Sequence, residues 1–93
     1  MRETSTIHSQ QKNPLTLLGL KQGETAVVTG ITGGKTARAR MAGFGIHEGK
    51  IIRLIKAAPF HGPLLVEDTA SGARTMIGRG MAGTVEVSPE ESS

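Results

Sequence analysis

The tripeptide Gly34-Lys35-Thr36 is the first stretch of the chain whose residue types could do chemistry. Nucleotide-binding loops end in Gly-Lys followed by Ser or Thr, because their backbone N–H groups and lysine hold phosphate oxygens. Such loops also need a glycine five residues before the last one, whereas Gly30 precedes Gly34 by only four. The spacing therefore predicts a turn that enters a helix, not a phosphate-binding loop.

The carboxylates of the chain form no pattern for acid–base or nucleophilic catalysis. A nucleophile needs a base beside it and a third group that orients the base. The acidic residues fall instead on separate predicted strands and turns, at Glu24, Glu48, Glu67, Asp68 and Glu86. The absence of cysteine excludes thiolate zinc sites and cysteine nucleophiles. We therefore expect no catalytic residues and no enzymatic activity.

Histidines are the remaining candidates for metal ligands, and they lie at positions 8, 47 and 61. No two of them have the spacing that places a pair of ligands on one helix face. His47 and Glu48 are adjacent in a predicted turn, and His61 is at a predicted loop tip. Because imidazole binds divalent transition metals readily, we predict at most a weak site, formed by His47, Glu48 and His61, and no certain cofactor.

Length and charge limit the classes of partner. The 93 residues are expected to form one domain, with flexible tails at 1–13 and 88–93 and a folded part at 14–87. Between residues 13 and 89, nine Lys or Arg oppose five Asp or Glu, a charge of +4. This excess suits an acidic protein, a membrane surface or nucleic acid. Without a membrane-length apolar run or a signal peptide, the sequence predicts a cytoplasmic protein.

Nucleic acid is the less favoured partner. Six cations lie close together in the sequence, at Lys35, Arg38, Arg40, Lys50, Arg53 and Lys56. Small barrels that bind single strands also stack bases on aromatic side chains. This chain has two phenylalanines and no Tyr or Trp, and one of the two is expected in the core. A small nucleic-acid-binding barrel is therefore only an alternative hypothesis.

Hydrophobic periodicity predicts five short strands and one short helix. Alternating and β-branched residues place the strands at 24–31, 50–57, 64–69, 73–78 and 84–87. A single turn is expected to bring Leu15, Leu18 and Leu20 onto the core. Ser71-Gly72 is expected to form a two-residue hairpin turn, and residues 80–83 a tight turn that buries Met81. The predicted fold is mainly β, a small and strongly bent barrel without exposed edges.

The helix follows the first strand, within the stretch from Gly33 to Gly49. At 100° per residue, Ala37, Met41 and Phe44 form one stripe that should face the core. Gly45 is the expected left-handed residue after the helix, and Ile46 the apolar residue that folds back.

The opposite face of the helix is small and basic, and the loop around Phe60 exposes an aromatic between prolines. Arg and Phe are enriched in the buried centres of protein interfaces. We therefore predict that these two surfaces bind a protein partner, through Lys35, Arg38, Ala39, Arg40, Ala42, Gly43, Phe60 and His61.

Four segments of the chain, within residues 14–87, resemble one protein family. The segment from Arg40 to Gly49 (RMAGFGIHEG) resembles the R-L-x-x-L-G-I-x-x-G signature of the ferrous iron transport protein A (FeoA) family. Met41 and Phe44 stand where that signature has leucines. Residues 15–28 are similar to the family's opening segment, residues 52–64 to its strand–A-P-x-x-x-P–strand segment, and residues 77–87 to its last strand.

The resemblance implies an SH3-like barrel and a cytoplasmic accessory or regulatory protein of ferrous iron uptake. Its implied partner is the FeoB permease, a membrane protein with a cytosolic GTPase domain, which would recruit it to the inner face of the membrane. The same module also occurs as the C-terminal domain of metal-dependent repressors, so a metal-sensing module is an alternative. No winged-helix segment fits in 93 residues, and we expect a free-standing copy.

Overall fold

The computed structural model describes residues 15–90, so the N-terminal tail predicted at 1–13 and the last three residues lie outside it. The strands are β1 (Thr25–Ile31), β2 (Ile51–Ala57), β3 (Leu64–Asp68), β4 (Arg74–Ile77) and β5 (Val85–Pro89). The helices are α1 (Gly34–Gly43) and the one-turn α2 (Arg79–Ala82), and a 3₁₀ turn spans Leu17–Gly19. The predicted mainly β class, with its principal helix after the first strand, is confirmed.

The strands form one antiparallel sheet in the order β4-β3-β2-β1-β5. Its register shifts between Val28 and Gly30, where β1 meets β5, and between Leu54 and Lys56, where β2 meets β3. Irregularities of this kind bend a strand and increase its twist, so the sheet wraps around its core. β4 and β5 are the two ends of this order, and the barrel is therefore open rather than fully closed.

The N-terminal segment covers the outer edge of β5. Val87 donates its backbone N–H to the Leu15 carbonyl oxygen at 2.8 Å, and Thr16 forms a bridge with Glu86. The hydroxyl of Thr16 also caps the 3₁₀ turn, because it accepts the N–H of Leu18 at 3.2 Å. This cover satisfies backbone groups that would otherwise face solvent at a sheet edge.

The 3₁₀ turn buries Leu17, and the prediction that Leu18 reaches the core is wrong. Leu17 is fully buried and Leu20 nearly so, whereas Leu18 is 41% exposed. A 3₁₀ helix has three residues per turn, so Leu17 and Leu20 lie on the same side. Leu15 packs against the core at its margin, as predicted.

The core is formed by apolar side chains from every strand, α1, α2 and the N-terminal turn. No polar or charged side chain of residues 15–90 is buried among them. Its largest buried members are Leu17, Val28, Met41, Ile52, Leu54, Leu64, Ile77 and Val85.

α1 ends in a Schellman motif, which confirms the predicted roles of Gly45 and Ile46. Gly45 has φ +81°, and its N–H donates to the Ala42 carbonyl at 2.9 Å. The Ile46 N–H donates to the Met41 carbonyl at 2.9 Å. These bonds satisfy carbonyls that the end of a helix leaves unpaired. Ile46 and Met41, both buried, then hold the helix on the sheet.

Phe44 does not pack in the core, contrary to prediction. Its side chain is 44% exposed, and φ −96° and ψ 4° mark it as the residue that caps α1. The helical wheel no longer applies once the backbone leaves the helix, so Ile46 occupies the place expected for Phe44. Ala37 and Met41 do lie on the inner face as predicted.

The segment before β5 is a helical turn, α2, that buries Ala82 rather than Met81. Ala82 is fully buried, whereas Met81 only packs against the edge of the core. β5 then continues through Ser88 and Pro89, opposite Val27 and Ala26, two residues beyond the predicted end of the strand. No helix within residues 15–90 is long and apolar enough to cross a membrane.

The β3–β4 connection is longer than the predicted two-residue turn. The Asp68 N–H donates to the Ala73 carbonyl at 2.8 Å, and the Gly72 N–H to the Asp68 carbonyl at 2.7 Å. The loop therefore runs from Thr69 to Gly72, with φ +81° at Gly72.

Asp68 anchors this loop with both of its carboxylate oxygens. Oδ2 accepts a hydrogen bond from Lys50 Nζ at 2.9 Å, and Oδ1 accepts the Ala70 N–H at 2.9 Å. The hydrogen bond from Lys50, more than that from Ala70, holds the pKa of the Asp68 carboxyl below its usual 3.8. A carboxyl with a lowered pKa stabilises the fold above its unfolded-state pKa, and this stabilisation is lost as the pH falls through the folded-state value.

We predict that Asp68→Asn removes this acid-dependent part of the stability. Below about pH 4 the Tm of the unmodified protein should fall more steeply than that of the variant. Lys50→Met should flatten the slope as well, since it removes the same hydrogen bond. Thermal unfolding from neutral pH to about pH 2 measures the three slopes, and identical slopes would contradict the assignment.

Candidate protein-docking site

The outward face of α1 has the small and basic character that the sequence predicts. All of its residues are exposed: Lys35, Arg38, Ala39, Arg40, Ala42 and Gly43. Within residues 15–90, none of its three cations takes part in a salt bridge. Their charge can therefore act on an acidic partner without first breaking an ion pair in that part of the chain.

A groove of about 660 Å³ lies between α1 and the turn that follows it. We call it the helix groove. Its residues are Ile31 at the end of β1, Arg38, Ala39 and Ala42 on α1, and Ile46, His47 and Glu48 in the turn. The Schellman motif creates it, because the reversal at Gly45 returns the chain alongside the helix. Ile31 and Ile46 are nearly buried, so the floor is apolar while the rim is charged.

Arg40 lies on the other side of α1 from Arg38. It borders a second groove of about 220 Å³ between α1 and α2, and its Nη1 lies 3.8 Å from the sulfur of Met81. The structure thus divides the predicted helix surface. Arg38, Ala39 and Ala42 share the helix groove with His47 and Glu48, whereas Arg40 faces α2.

The candidate metal ligands are not brought together. His47 and Glu48 both border the helix groove, and His47 Nδ1 lies 3.0 Å from the Glu48 carbonyl oxygen. His61 follows β2, whereas His47 precedes it, and seven strand residues span about 20 Å. Ligand atoms must lie about 2 Å from a shared metal. Residues 15–90 contain no group of three or more His, Asp or Glu that could hold an ion, and His8 lies outside that range.

Phe60 and His61 form the centre of a strained turn between β2 and β3. Both have positive φ, 57° and 61°, and the Gly62 N–H donates to the Pro59 carbonyl at 3.1 Å. This is a type I′ turn, which normally carries Asn-Gly because both central residues need positive φ. Phe60 is 96% exposed, so burial of its ring does not offset the strain. We call residues 59–63 the hairpin tip.

We predict that the double substitution Phe60→Asn and His61→Gly stabilises the fold. Residues with a Cβ lose about 1–2 kcal/mol in the left-handed region, and Asn-Gly relieves most of that cost. Denaturant unfolding should show a gain of about 1–2 kcal/mol with an unchanged m-value. Unchanged or reduced stability would show that the turn is not strained.

Met76 is a surface residue that the sequence interpretation missed. It is 58% exposed on β4 and borders a groove of about 210 Å³ with Lys56, Ala58, Pro63 and Leu65. The signal was present, because side chains alternate along a strand and Ile77 is buried. The apolar surface therefore extends from the hairpin tip onto the outside of the sheet.

The basic run considered for nucleic acid is interrupted by ion pairs. Lys50 pairs with Asp68 at 2.9 Å, and Glu67 accepts from Arg53 at 3.3 Å and from Arg74 at 3.4 Å. These contacts reduce the charge available for phosphates on β2. Within residues 15–90, the cations therefore do not form one continuous unpaired stripe of the kind that binds phosphate backbones.

A bent five-stranded antiparallel sheet with a single principal helix defines a small SH3-like domain. The sequence of this chain matches the family model of the FeoA domain over residues 15–89. The chain therefore belongs to the FeoA family of ferrous iron transport. The resemblance read from the sequence is confirmed.

Solved structures share this fold. The crystal structure of an iron uptake regulatory protein, FeoA, is 29% identical with a TM-score of 0.73, over 82% of this chain and 96% of that one. FeoA from Chlorobium tepidum is 24% identical with a TM-score of 0.73, and the match covers 85% of this chain and 73% of that one.

A manganese-dependent transcriptional repressor in complex with manganese is also similar, at 22% identity and a TM-score of 0.75. The match covers 83% of this chain but only 37% of the repressor, so the likeness is one of fold. A search of curated proteins found no significant match.

Proposed function

We propose that this protein is a cytoplasmic accessory or regulatory protein of ferrous iron uptake that binds an FeoB-type permease. The α1 face and the helix groove are the docking surface, and the protein carries out no chemistry of its own. The observation that carries the proposal is the helix groove, which has an apolar floor and a charged rim and lies beside the exposed face of α1.

The residue types at the helix groove suit a protein interface. Ala39 and Ala42 let a partner backbone approach α1 closely, and the floor formed by Ile31 and Ile46 can receive an apolar side chain. Arg38 stands at the rim, where a partner carboxylate would form a charge-assisted hydrogen bond. Arginine beside a desolvated apolar contact is a common interface hot spot. The expected ligand is therefore an apolar segment that carries an acidic residue.

A binding titration tests the proposal. The unlabelled protein is titrated against the cytosolic GTPase domain of the permease, and separately against the intact permease in nanodiscs. We expect saturable binding that weakens with added salt, since rim charges contribute mainly through long-range attraction. Absence of binding to both, together with tight and salt-sensitive binding to RNA, would replace the proposal with the nucleic-acid alternative.

A weak divalent transition metal site is the second candidate, and the observation that favours it is the position of His47 and Glu48 on one groove. Two ligands and a neighbouring Arg38 predict low affinity, because the guanidinium repels a cation. Fe(II) or Mn(II) bound to the folded state would raise the Tm by mass action. His47→Ala should abolish the rise and His61→Ala should not. A Tm indifferent to metal would remove this candidate.

A further inference from the structure

We propose that the hairpin tip is a membrane-contact element, which places Phe60 in the headgroup region of bilayers that contain anionic lipid. The inference concerns a different surface from the helix groove, since β2 separates the two by about 20 Å. It is independent of the proposed permease contact, and vesicles without any protein partner test it.

The tip presents an aromatic ring as a protrusion rather than as part of a pocket. Phe60 is the most exposed of the large apolar side chains in the described part of the chain, at 96%. Its backbone, and that of His61, lies in the left-handed region at φ 57° and 61°. Unfavourable backbone conformations persist where the surrounding structure imposes them, and they cluster at functional sites. A convex aromatic tip suits a fluid bilayer, which adapts to a protrusion without needing a complementary cavity.

The backbone of the tip carries few unpaired donors, which lowers the cost of leaving water. Pro59 and Pro63 have no N–H group. The Ala58 N–H donates to the Pro63 carbonyl at 3.0 Å, and the Gly62 N–H to the Pro59 carbonyl at 3.1 Å. Each unpaired polar group is expensive at a lipid interface. The two prolines and these two bonds therefore reduce the number of unpaired donors that the tip would bring to a lipid interface, which leaves the N–H groups of Phe60 and His61.

The charges around the tip complement an anionic surface. Residues 54–66 and 75–85 contain Lys56, His61 and Arg79 but no Asp or Glu. The nearest acids along the neighbouring chain are Glu24, whose carbonyl accepts the Leu54 N–H three residues before the end of β2, and Glu67 on β3, opposite Arg53. The Glu67 carboxylate pairs with Arg53 at 3.3 Å and with Arg74 at 3.4 Å. Cations near an anionic leaflet strengthen the binding of a partly inserted apolar group.

Apolar surface continues behind the ring. Pro63, Leu65 and Met76 border one shallow groove with the stem of Lys56, and Met76 is 58% exposed. A lysine can lie along such a surface with its ammonium group in the headgroup layer. One ring and a few partly exposed side chains bind more weakly than a myristoyl chain, for which K is about 10⁴ M⁻¹. The contact therefore requires high lipid concentration or a second anchor.

The absence of tryptophan and tyrosine from the chain makes a fluorescence experiment direct. Phe60→Trp places a single indole at the tip, and Phe44→Trp, on another exposed phenylalanine, is the matched control. Each variant is titrated with vesicles of phosphatidylcholine alone and with vesicles that also contain phosphatidylglycerol. We expect a blue shift and quenching by brominated lipid for Phe60→Trp with the anionic vesicles, and neither for Phe44→Trp.

Sedimentation with the same anionic vesicles measures the contribution of each group. Phe60→Ser should lower the partition coefficient about tenfold, as expected for loss of one inserted ring. Lys56→Glu should lower it several-fold at low salt, and circular dichroism should show both variants folded. No shift for Phe60→Trp at millimolar lipid, or equal shifts for both Trp variants, would overturn the proposal. If the indole at position 60 responds only to the cytosolic domain of the permease, the tip is a protein contact and the lipid proposal is wrong.

Discussion

Met41→Ala should lower the free energy of unfolding by about 2–4 kcal/mol, the cost of removing a large buried side chain and leaving a cavity. Met41 is fully buried, and it is the main side chain that α1 inserts into the core. Its carbonyl also accepts the Ile46 N–H at 2.9 Å. A cavity at this point should therefore loosen the helix and the wall of the helix groove together. Urea unfolding at neutral pH measures the change, with a constant m-value as the check on two-state behaviour.

Phe44→Ala is the matched control for Met41→Ala, because the sequence predicts the same burial for both. The structure leaves Phe44 44% exposed, so truncation should cost less than about 1 kcal/mol although more carbon atoms are removed. If the Phe44 variant were the less stable of the two, the sequence-based helix stripe would be right and the placement of Phe44 wrong.

Arg38→Glu should weaken binding to the cytosolic domain of the permease by about 10- to 100-fold, since losing an arginine hot spot costs about 1–3 kcal/mol. The change replaces an attractive contact at the rim of the helix groove with a repulsive one. Its effect should be larger at low salt, where charge interactions extend further. Arg40→Glu should cost less, because Arg40 borders the groove on the opposite side of α1.

Lys21→Glu changes the net charge by the same amount as Arg38→Glu, and it therefore controls for the effect of overall charge on binding. Lys21 is exposed and precedes β1, whereas the helix groove lies at the end of that seven-residue strand, about 20 Å away. The control should bind within about twofold of the unmodified protein. Equal losses for Lys21→Glu and Arg38→Glu would show that only overall charge matters and that the helix groove is not the docking surface. Thermal unfolding of each variant should match the unmodified protein, because these positions are exposed.

Much of the fold follows from local patterns. β-branched runs placed all five strands to within about two residues, as expected for elements with a strong period. Gly45 also followed from local chemistry, because only glycine takes positive φ without cost at the end of a helix. The exposed face of α1 followed from the same helical wheel that identified Met41 as the buried residue.

The errors occur where the backbone leaves a regular element. The helical wheel predicts that Phe44 faces the core, but the helix ends at Gly43 and the Phe44 ring is partly exposed. Leu18 was expected in the core, but the 3₁₀ turn places Leu17 and Leu20 there instead. The sequence predicted that Ser88 and Pro89 belong to the flexible C-terminal tail, but β5 extends across both residues because they pair with β1.

The sequence by itself determined the strands, the principal helix, its glycine stop and the family, because each depends on residues close together in the chain. Only the tertiary structure decided which candidate site residues meet. It placed Arg38 with His47 and Glu48 on one groove, moved Arg40 to another, and separated His61 from His47 by the length of β2. Such separations depend on strand pairing and on the reversal at Gly45, which bring together or keep apart residues whose spacing in the sequence carries no information about distance.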